Sequence, residues 1–149
     1  GADMAWSPNA LNDENRARQM VEEQYPVVMQ YGVTLNAHGD AAAQKKQYGI
    51  SGKSHYQKAE LVRAKLLAAG ASPADAQFVY DTQVYEKDMQ DARDELKTAA
   101  MEYMALRKEG RDDAQLRQRV ANANTKMQNI TQTYLRKQNR HALELQSVY

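Results

Sequence analysis

The most basic local cluster of the chain lies near its C-terminal end. It consists of four residues within six consecutive positions: Arg136, Lys137, Arg140 and His141. On a helix, residues four positions apart share a face, so these side chains would form two adjacent pairs. Such a cluster can bind the phosphates of a nucleic acid or of an anionic lipid surface. The alternative is that it complements an acidic helix of the same chain, and both interpretations stay open at this point.

A second pattern, Gly52-Lys53-Ser54, has the ending of a phosphate-binding loop. That loop also requires a glycine five residues before the Gly-Lys pair, where this chain has Gln47. The serine is explained more simply as the N-cap of the helix that begins after it. We therefore predict no nucleotide site here.

The histidines and the acidic residues do not have the spacing of a metal site. No two of the three histidines are three or four positions apart: His38, His55 and His141. The chain has no cysteine, which excludes thiolate ligands and a cysteine nucleophile. Three carboxylates share a helical face, but the Glu-x-x-His pairs of di-metal helical sites are missing: Asp88, Asp91 and Glu95. We predict no catalytic residue, no metal site and no cofactor, and hence no enzymatic activity.

The composition limits the functional classes further. The 149 residues include 20 Lys or Arg and 19 Asp or Glu, so the formal net charge is +1. This balance argues against a dedicated polyanion binder. The longest run without a polar side chain, Leu66–Ala71, is much shorter than the roughly 20 residues of a membrane-spanning helix. No signal peptide is visible, and a cysteine-free chain suits reducing and oxidising compartments, so we expect a soluble protein, cytoplasmic or exported.

Two long helical patterns occupy the second half of the chain and would position these side chains. Apolar residues recur at alternating intervals of four and three over residues 78–106, and again over 116–134. This spacing predicts coiled-coil helices over about 73–108 and 112–147. The glycine-containing segment between them is short, so the two helices should fold back as an antiparallel hairpin.

The register of this hairpin follows from a simple rule. Facing residues of two antiparallel helices have residue numbers with a nearly constant sum. The rule places Met89 against Tyr134 and Tyr85 against Lys137. Lys137 would then lie in an apolar seam, with its ammonium group reaching solvent. The alternative is that this open end of the hairpin receives a partner or an anionic group.

The first half of the chain predicts shorter helices. One helix is expected over residues 7–35, where Pro26 should kink or split it because proline removes a backbone hydrogen bond. Residues 27–35 also fit a short strand. A second helix is expected over 54–70, and the glycine-containing residues 36–53 are expected to form a flexible connector.

The apolar surface of the hairpin is wider than a two-helix seam requires. Five apolar residues lie next to the seam: Ala100, Met104, Ala121, Leu135 and Ala142. We expect the N-terminal helices to cover this surface. The fold prediction is therefore one all-α domain over residues 1–149, a three- or four-helix bundle built on the hairpin of residues 72–149. Complete coverage favours a monomer, and an uncovered surface would favour a dimer.

This architecture is compatible with three classes of function. The first is a non-enzymatic helical-bundle module that binds another protein, as secretion-associated proteins, effectors, phage structural proteins and adaptors do. The second is a nucleic-acid or anionic-surface binder that uses the basic C-terminal helix. The third is an enzyme or small-ligand binder with a site beside residues 36–53. We take the first as the working hypothesis.

Overall fold

Within the residues that the structure describes, 8–35 and 55–148, the protein consists of four α-helices and contains no strand. The structure is a computed structural model, and its described side chains are those of residues 11–35 and 55–139. In chain order the helices are α1 (Pro8–Gln30), α2 (His55–Ala68), α3 (Pro73–Lys108) and α4 (Ala114–Val148). The predicted all-α helical bundle is confirmed. The predicted connector, residues 36–53, and the predicted cap at Ser54 lie outside the described residues.

A glycine turn joins α3 to α4. Gly110 has a φ of 73°, and its amide donates a hydrogen bond to the Arg107 carbonyl at 2.9 Å. The Arg111 amide donates to the Leu106 carbonyl at 3.2 Å, which completes a Schellman motif. Glycine adopts this left-handed conformation without a steric penalty. Asp113 then caps α4, because its carboxylate accepts two first-turn amide hydrogen bonds of 2.9 and 3.2 Å.

The N-terminal helix differs from the prediction at its C-terminal end. α1 continues through Pro26 to Gln30, so the proline does not split the helix. It ends in the same motif as α3, since Gly32 has a φ of 67° and the Val33 amide donates to the Val28 carbonyl at 3.0 Å. Neither the helical extension to residue 35 nor the alternative strand is present, because this turn stops the helix first.

Packing divides the chain into two compact units whose borders fall inside helices. The first unit contains Gly1–Arg18 and Tyr85–Arg136, and the second contains Gln19–Val84 and Lys137–Tyr149. In the second unit, the end of α1, α2 and the start of α3 share one buried apolar cluster: Val28, Val62, Leu66, Ala71, Ala76, Phe78 and Val79. This core uses short aliphatic side chains and a single phenylalanine, as expected for a chain with few large apolar residues.

In the first unit, α3 and α4 pack against each other in antiparallel directions. Every residue of the predicted seam between 85 and 127 is buried or half-buried. Ion pairs follow the edge of the seam, with Glu95 bound to Lys126 at 3.3 Å and Glu102 bound to Arg119 at 3.1 Å. The order of these pairs shows the antiparallel direction directly, because higher numbers on one helix meet lower numbers on the other.

The register differs from the prediction at the end farthest from the turn. Tyr85 stacks on Tyr134, with ring centroids 4.4 Å apart, and the Thr131 hydroxyl lies 3.8 Å from the Met89 sulfur. The predicted pairs of Met89 with Tyr134 and of Tyr85 with Lys137 are therefore wrong. A straight α-helix drifts by about 20° per heptad against a strict seven-residue repeat, so the extrapolated seam leaves the buried face. Lys137 is exposed, whereas its neighbour Gln138 is buried.

Candidate functional site

The structure places the predicted basic cluster on α4. Arg136 and Lys137 are exposed, and neither forms an ion pair with a residue in the described ranges. Arg140 and His141 continue the same helix, in a stretch whose side chains are not described. The two exposed cations can therefore meet an anionic partner, but nothing in the described part of the chain adds a second binding group to them.

The predicted acidic face of α3 is largely occupied by neighbouring cations. Asp91 binds Lys87 at 2.9 Å, and Glu95 binds Lys126 at 3.3 Å. Among the described residues, no three His, Asp or Glu side chains converge on a position that could hold a metal ion. No helix within those same ranges is sufficiently long and apolar to span a membrane.

Among the residues with described side chains, two tyrosines have a shifted pKa, and burial is the largest cause of both shifts. Burial raises the pKa of the Tyr85 hydroxyl, and a hydrogen bond with Thr131 partly offsets this effect. Desolvation, followed by the charge of Asp75, raises the pKa of Tyr31, whose hydroxyl donates to the Asp75 carboxylate at 3.3 Å. A raised pKa keeps a phenol protonated, so both hydroxyls act as hydrogen-bonding groups and are poor general bases.

An uncovered apolar patch lies on α3, near the turn that joins it to α4. Met101 and Met104 are each 61% exposed, and they are neighbours on the helix surface because they lie three positions apart. Ala100 lies beside them and is half-buried. We call Ala100, Met101 and Met104 the methionine patch. The expectation that N-terminal helices cover the apolar surface is wrong for Met104, although Leu135, in the same predicted surface, is buried.

The direction of α1 explains why the patch is uncovered. In the first unit, Glu14 of α1 binds Arg93 of α3 at 3.2 Å, and in the second unit Tyr31, just after α1, donates a hydrogen bond to Asp75 of α3 at 3.3 Å. α1 therefore runs antiparallel to α3, and its N-terminal end points toward the α3–α4 turn. Ala17, about one turn after Glu14 on α1, is fully buried.

The lengths of the two helices set where the contact ends. A helix rises about 1.5 Å per residue, so α1 reaches about 9 Å beyond Glu14 to its first residue, Pro8. α3 reaches about 22 Å beyond Arg93 to its last residue, Lys108. The described part of α1 therefore ends before the level of Met104. Beyond that level, α3 and α4 are the only described helices of the first unit.

Near the methionine patch, the acidic residue of α3 faces α4, whereas the basic residues lie beside the two methionines. Glu102 is the one acidic residue between positions 97 and 108, and it binds Arg119 of α4. Three exposed basic residues lie three or four positions from Met101 or Met104: Lys97, Arg107 and Lys108. Between positions 97 and 108 the helix is therefore net positive and its one acid is paired, while Asp94 and Glu109 lie just outside this stretch.

On α4, a small residue, Ala121, lies at the level of the methionine patch. By the register of the Glu102–Arg119 ion pair, Ala121 lies opposite Ala100, and both are half-buried. Small residues at these two levels limit how much side-chain bulk α3 and α4 present beside Met104. Comparisons of the chain with protein-family models, with curated proteins and with solved structures found no match.

The sequence contained part of the signal for this site. Ala100, Met104 and Ala121 all belong to the widened apolar surface that the heptad pattern predicts. Met101 lies outside that pattern. Its apolar neighbours three and four positions away, Met104 and Ala105, could have indicated that Met101 belongs to an apolar patch. Whether these residues are covered depends on how α1 packs along α3. No local sequence pattern predicts that packing.

Proposed function

We propose that the protein is a non-enzymatic helical-bundle module that binds another protein, and that the methionine patch is the contact surface. One observation carries the proposal: two methionines that are neighbours on the surface of α3 are each 61% exposed. Single exposed apolar residues are ordinary, but a contiguous apolar patch with a polar rim is typical of interaction sites. Methionine suits such a surface because its unbranched, polarizable side chain adapts to a partner.

The location of the patch supports the same proposal. The patch continues the line along which α1 packs on α3, so it offers a partner the kind of contact that the protein makes internally. Glu14 and Ala17 show two features of α1 in this unit, namely an ion pair with α3 and a small buried residue. A partner that repeats these two features would bury apolar surface and neutralise lysines at the same time.

A second candidate function is binding to the phosphates of a nucleic acid or an anionic lipid surface. It is supported by the exposure of Arg136 and Lys137 without a described ion-pair partner. This function predicts salt-dependent binding to duplex DNA, RNA or anionic vesicles. Binding of this kind that is lost in the double variant Arg136→Glu, Lys137→Glu would favour it over the protein-contact proposal.

Site-specific photo-crosslinking tests the main proposal. A photoreactive phenylalanine analogue is placed at Met101 or at Met104, with Asn129, which is polar and exposed on α4, as the control position. The cross-linked protein is identified and purified, and its affinity is measured for the wild type and for Met101→Glu, Met104→Glu. We expect the double substitution to weaken binding at least about tenfold, since central apolar contacts contribute most of the binding energy. Equal affinity for wild type and variant would refute the proposal.

A further inference from the structure

We infer that the segment of the partner that contacts the methionine patch is an amphipathic helix with acidic residues beside its apolar stripe. This inference rests on the function proposed above and names the chemistry of the partner. The helix would occupy the groove between α3 and α4 beyond the described end of α1. It would take the place that α1 occupies farther from the turn.

The first argument is the shape of the groove. Nearer to Arg93, α1 fills the position between α3 and α4, since Glu14 binds Arg93 and the side chain of Gln132 on α4 donates to Asp13. One helix thus contacts both members of the pair. Toward the turn, α3 and α4 continue side by side, as the Glu102–Arg119 ion pair shows, and Ala100 and Ala121 are half-buried there. Small side chains permit close approach of a third helix, and a helix packed in a groove is a common mode of peptide recognition.

The second argument is charge complementarity. Arg93 and Lys97 are four residues apart on α3, so they share a face. Arg93 is bound by an acid of α1, whereas Lys97 has no acid of α1 within the described residues at its level. Around Met104 the chain supplies Arg107 and Lys108, both exposed. A helix that continued the pattern of α1 would therefore place acidic residues against these three cations.

The same charges argue against a second copy of this chain as the occupant. In a two-fold symmetric contact through the methionine patch, each surface meets itself. Lys97 of one copy would then face Lys108 of the other, and like charges would oppose each other. A membrane surface is disfavoured by size, because interfacial helices insert a broad apolar face and this patch contains two large side chains.

The test uses the full chain and two synthetic helical peptides with the same stripe of leucine and alanine. One peptide has glutamate at the positions beside the stripe, and the other has lysine there. Binding is measured by fluorescence anisotropy at low and high ionic strength. We expect the acidic peptide to bind at least about tenfold more tightly than the basic one, and to weaken as salt increases. Met104→Glu and Lys97→Glu should each reduce its affinity.

Lys65→Glu is the matched control, because it makes the same charge change as Lys97→Glu at an exposed cation of α2, which belongs to the other unit. It should leave the affinity for the acidic peptide unchanged. A circular-dichroism melting curve for each variant establishes that the helices remain folded.

Several results would overturn the inference. Equal binding of the two peptides, or unchanged binding by Met104→Glu and Lys97→Glu, would remove the charge argument. Binding to phosphatidylserine vesicles without binding to the acidic peptide would assign the surface to lipid. A wild-type dimer that Met104→Glu converts to a monomer would assign it to a second copy. Tighter peptide binding after deletion of residues 1–7 would assign the groove to the chain's own N-terminal segment.

The two proposals fail in different ways. If the acidic peptide does not bind but the cross-linked protein binds and loses affinity in the Met101→Glu, Met104→Glu variant, the partner is not an acidic helix and the protein-contact function stands. If neither binds through the patch, the proposed function fails as well.

Discussion

Replacing Gln138 by methionine should stabilise the protein, whereas replacing its neighbour Lys137 by leucine should not. Gln138 is 3% exposed, and its side-chain nitrogen has no hydrogen-bond partner within the described structure. Methionine has nearly the same length and flexibility as glutamine, so it fills the same volume without leaving a cavity. Lys137 is exposed, and its side chain gains nothing from becoming apolar.

The size of the effect follows from the buried amide. Burying a polar group without a hydrogen bond costs about 1–3 kcal/mol, so Gln138→Met should raise the free energy of unfolding by about that amount. For a chain of this length, each kcal/mol corresponds to a shift of about 2–4 °C in the melting temperature. Lys137→Leu should change stability by no more than about 0.5 kcal/mol, as exposed substitutions generally do.

Urea denaturation followed by far-ultraviolet circular dichroism is the assay. The midpoint should rise for Gln138→Met with an unchanged dependence on denaturant, which would show that stability and not the unfolded state has changed. The strict heptad repeat predicts the opposite pair of results, because it places Lys137 in the seam. A gain from Lys137→Leu together with a loss from Gln138→Met would therefore refute the register described above.

Three further predictions concern local features. Gly110→Ala should destabilise the protein by about 1–2 kcal/mol in a thermal melt, because its left-handed φ strains any residue with a Cβ; no change would mean that the turn can relax. Asp113→Ala should cost about 0.5–2 kcal/mol, and Asp113→Asn, which keeps the cap, should restore most of it. Burial raises the pKa of Tyr85 in the folded state above its ordinary value of 10.0. The protonated Tyr85 therefore contributes fully to the free energy of unfolding below pH 10.0, and this contribution is lost as pH rises through the folded-state pKa. Tyr85→Phe should therefore flatten the alkaline fall in stability, and an unaltered fall would contradict this cause.

Most of the local architecture could be read from the residues in order. The structure has α3 at Pro73–Lys108, the range that the spacing of apolar residues predicts, and the Ser72 hydroxyl accepts a hydrogen bond from the Asp75 amide at its start. Helix ends at Gly70 and Gly110 follow from the same kind of reasoning, because a Schellman motif involves only six consecutive residues. Helix caps and apolar spacing depend on residues within one or two helical turns, so they can be predicted from consecutive residues of the sequence.

The register beyond Tyr134 and the uncovered methionine patch could not be read in this way. The register depends on the drift of a straight helix against a strict seven-residue repeat, which accumulates over several turns. Coverage of the patch depends on α1, whose Glu14 binds Arg93, 79 residues away in sequence. Whether Met104 is covered depends on how far α1 extends along α3, and which face of α4 is buried depends on the helices packed against it. Apolar periodicity predicts which face of a helix will be buried. It does not predict which other helix covers that face, or where the covering helix ends. Only the packing of the helices could place Lys137 at the surface and Gln138 inside.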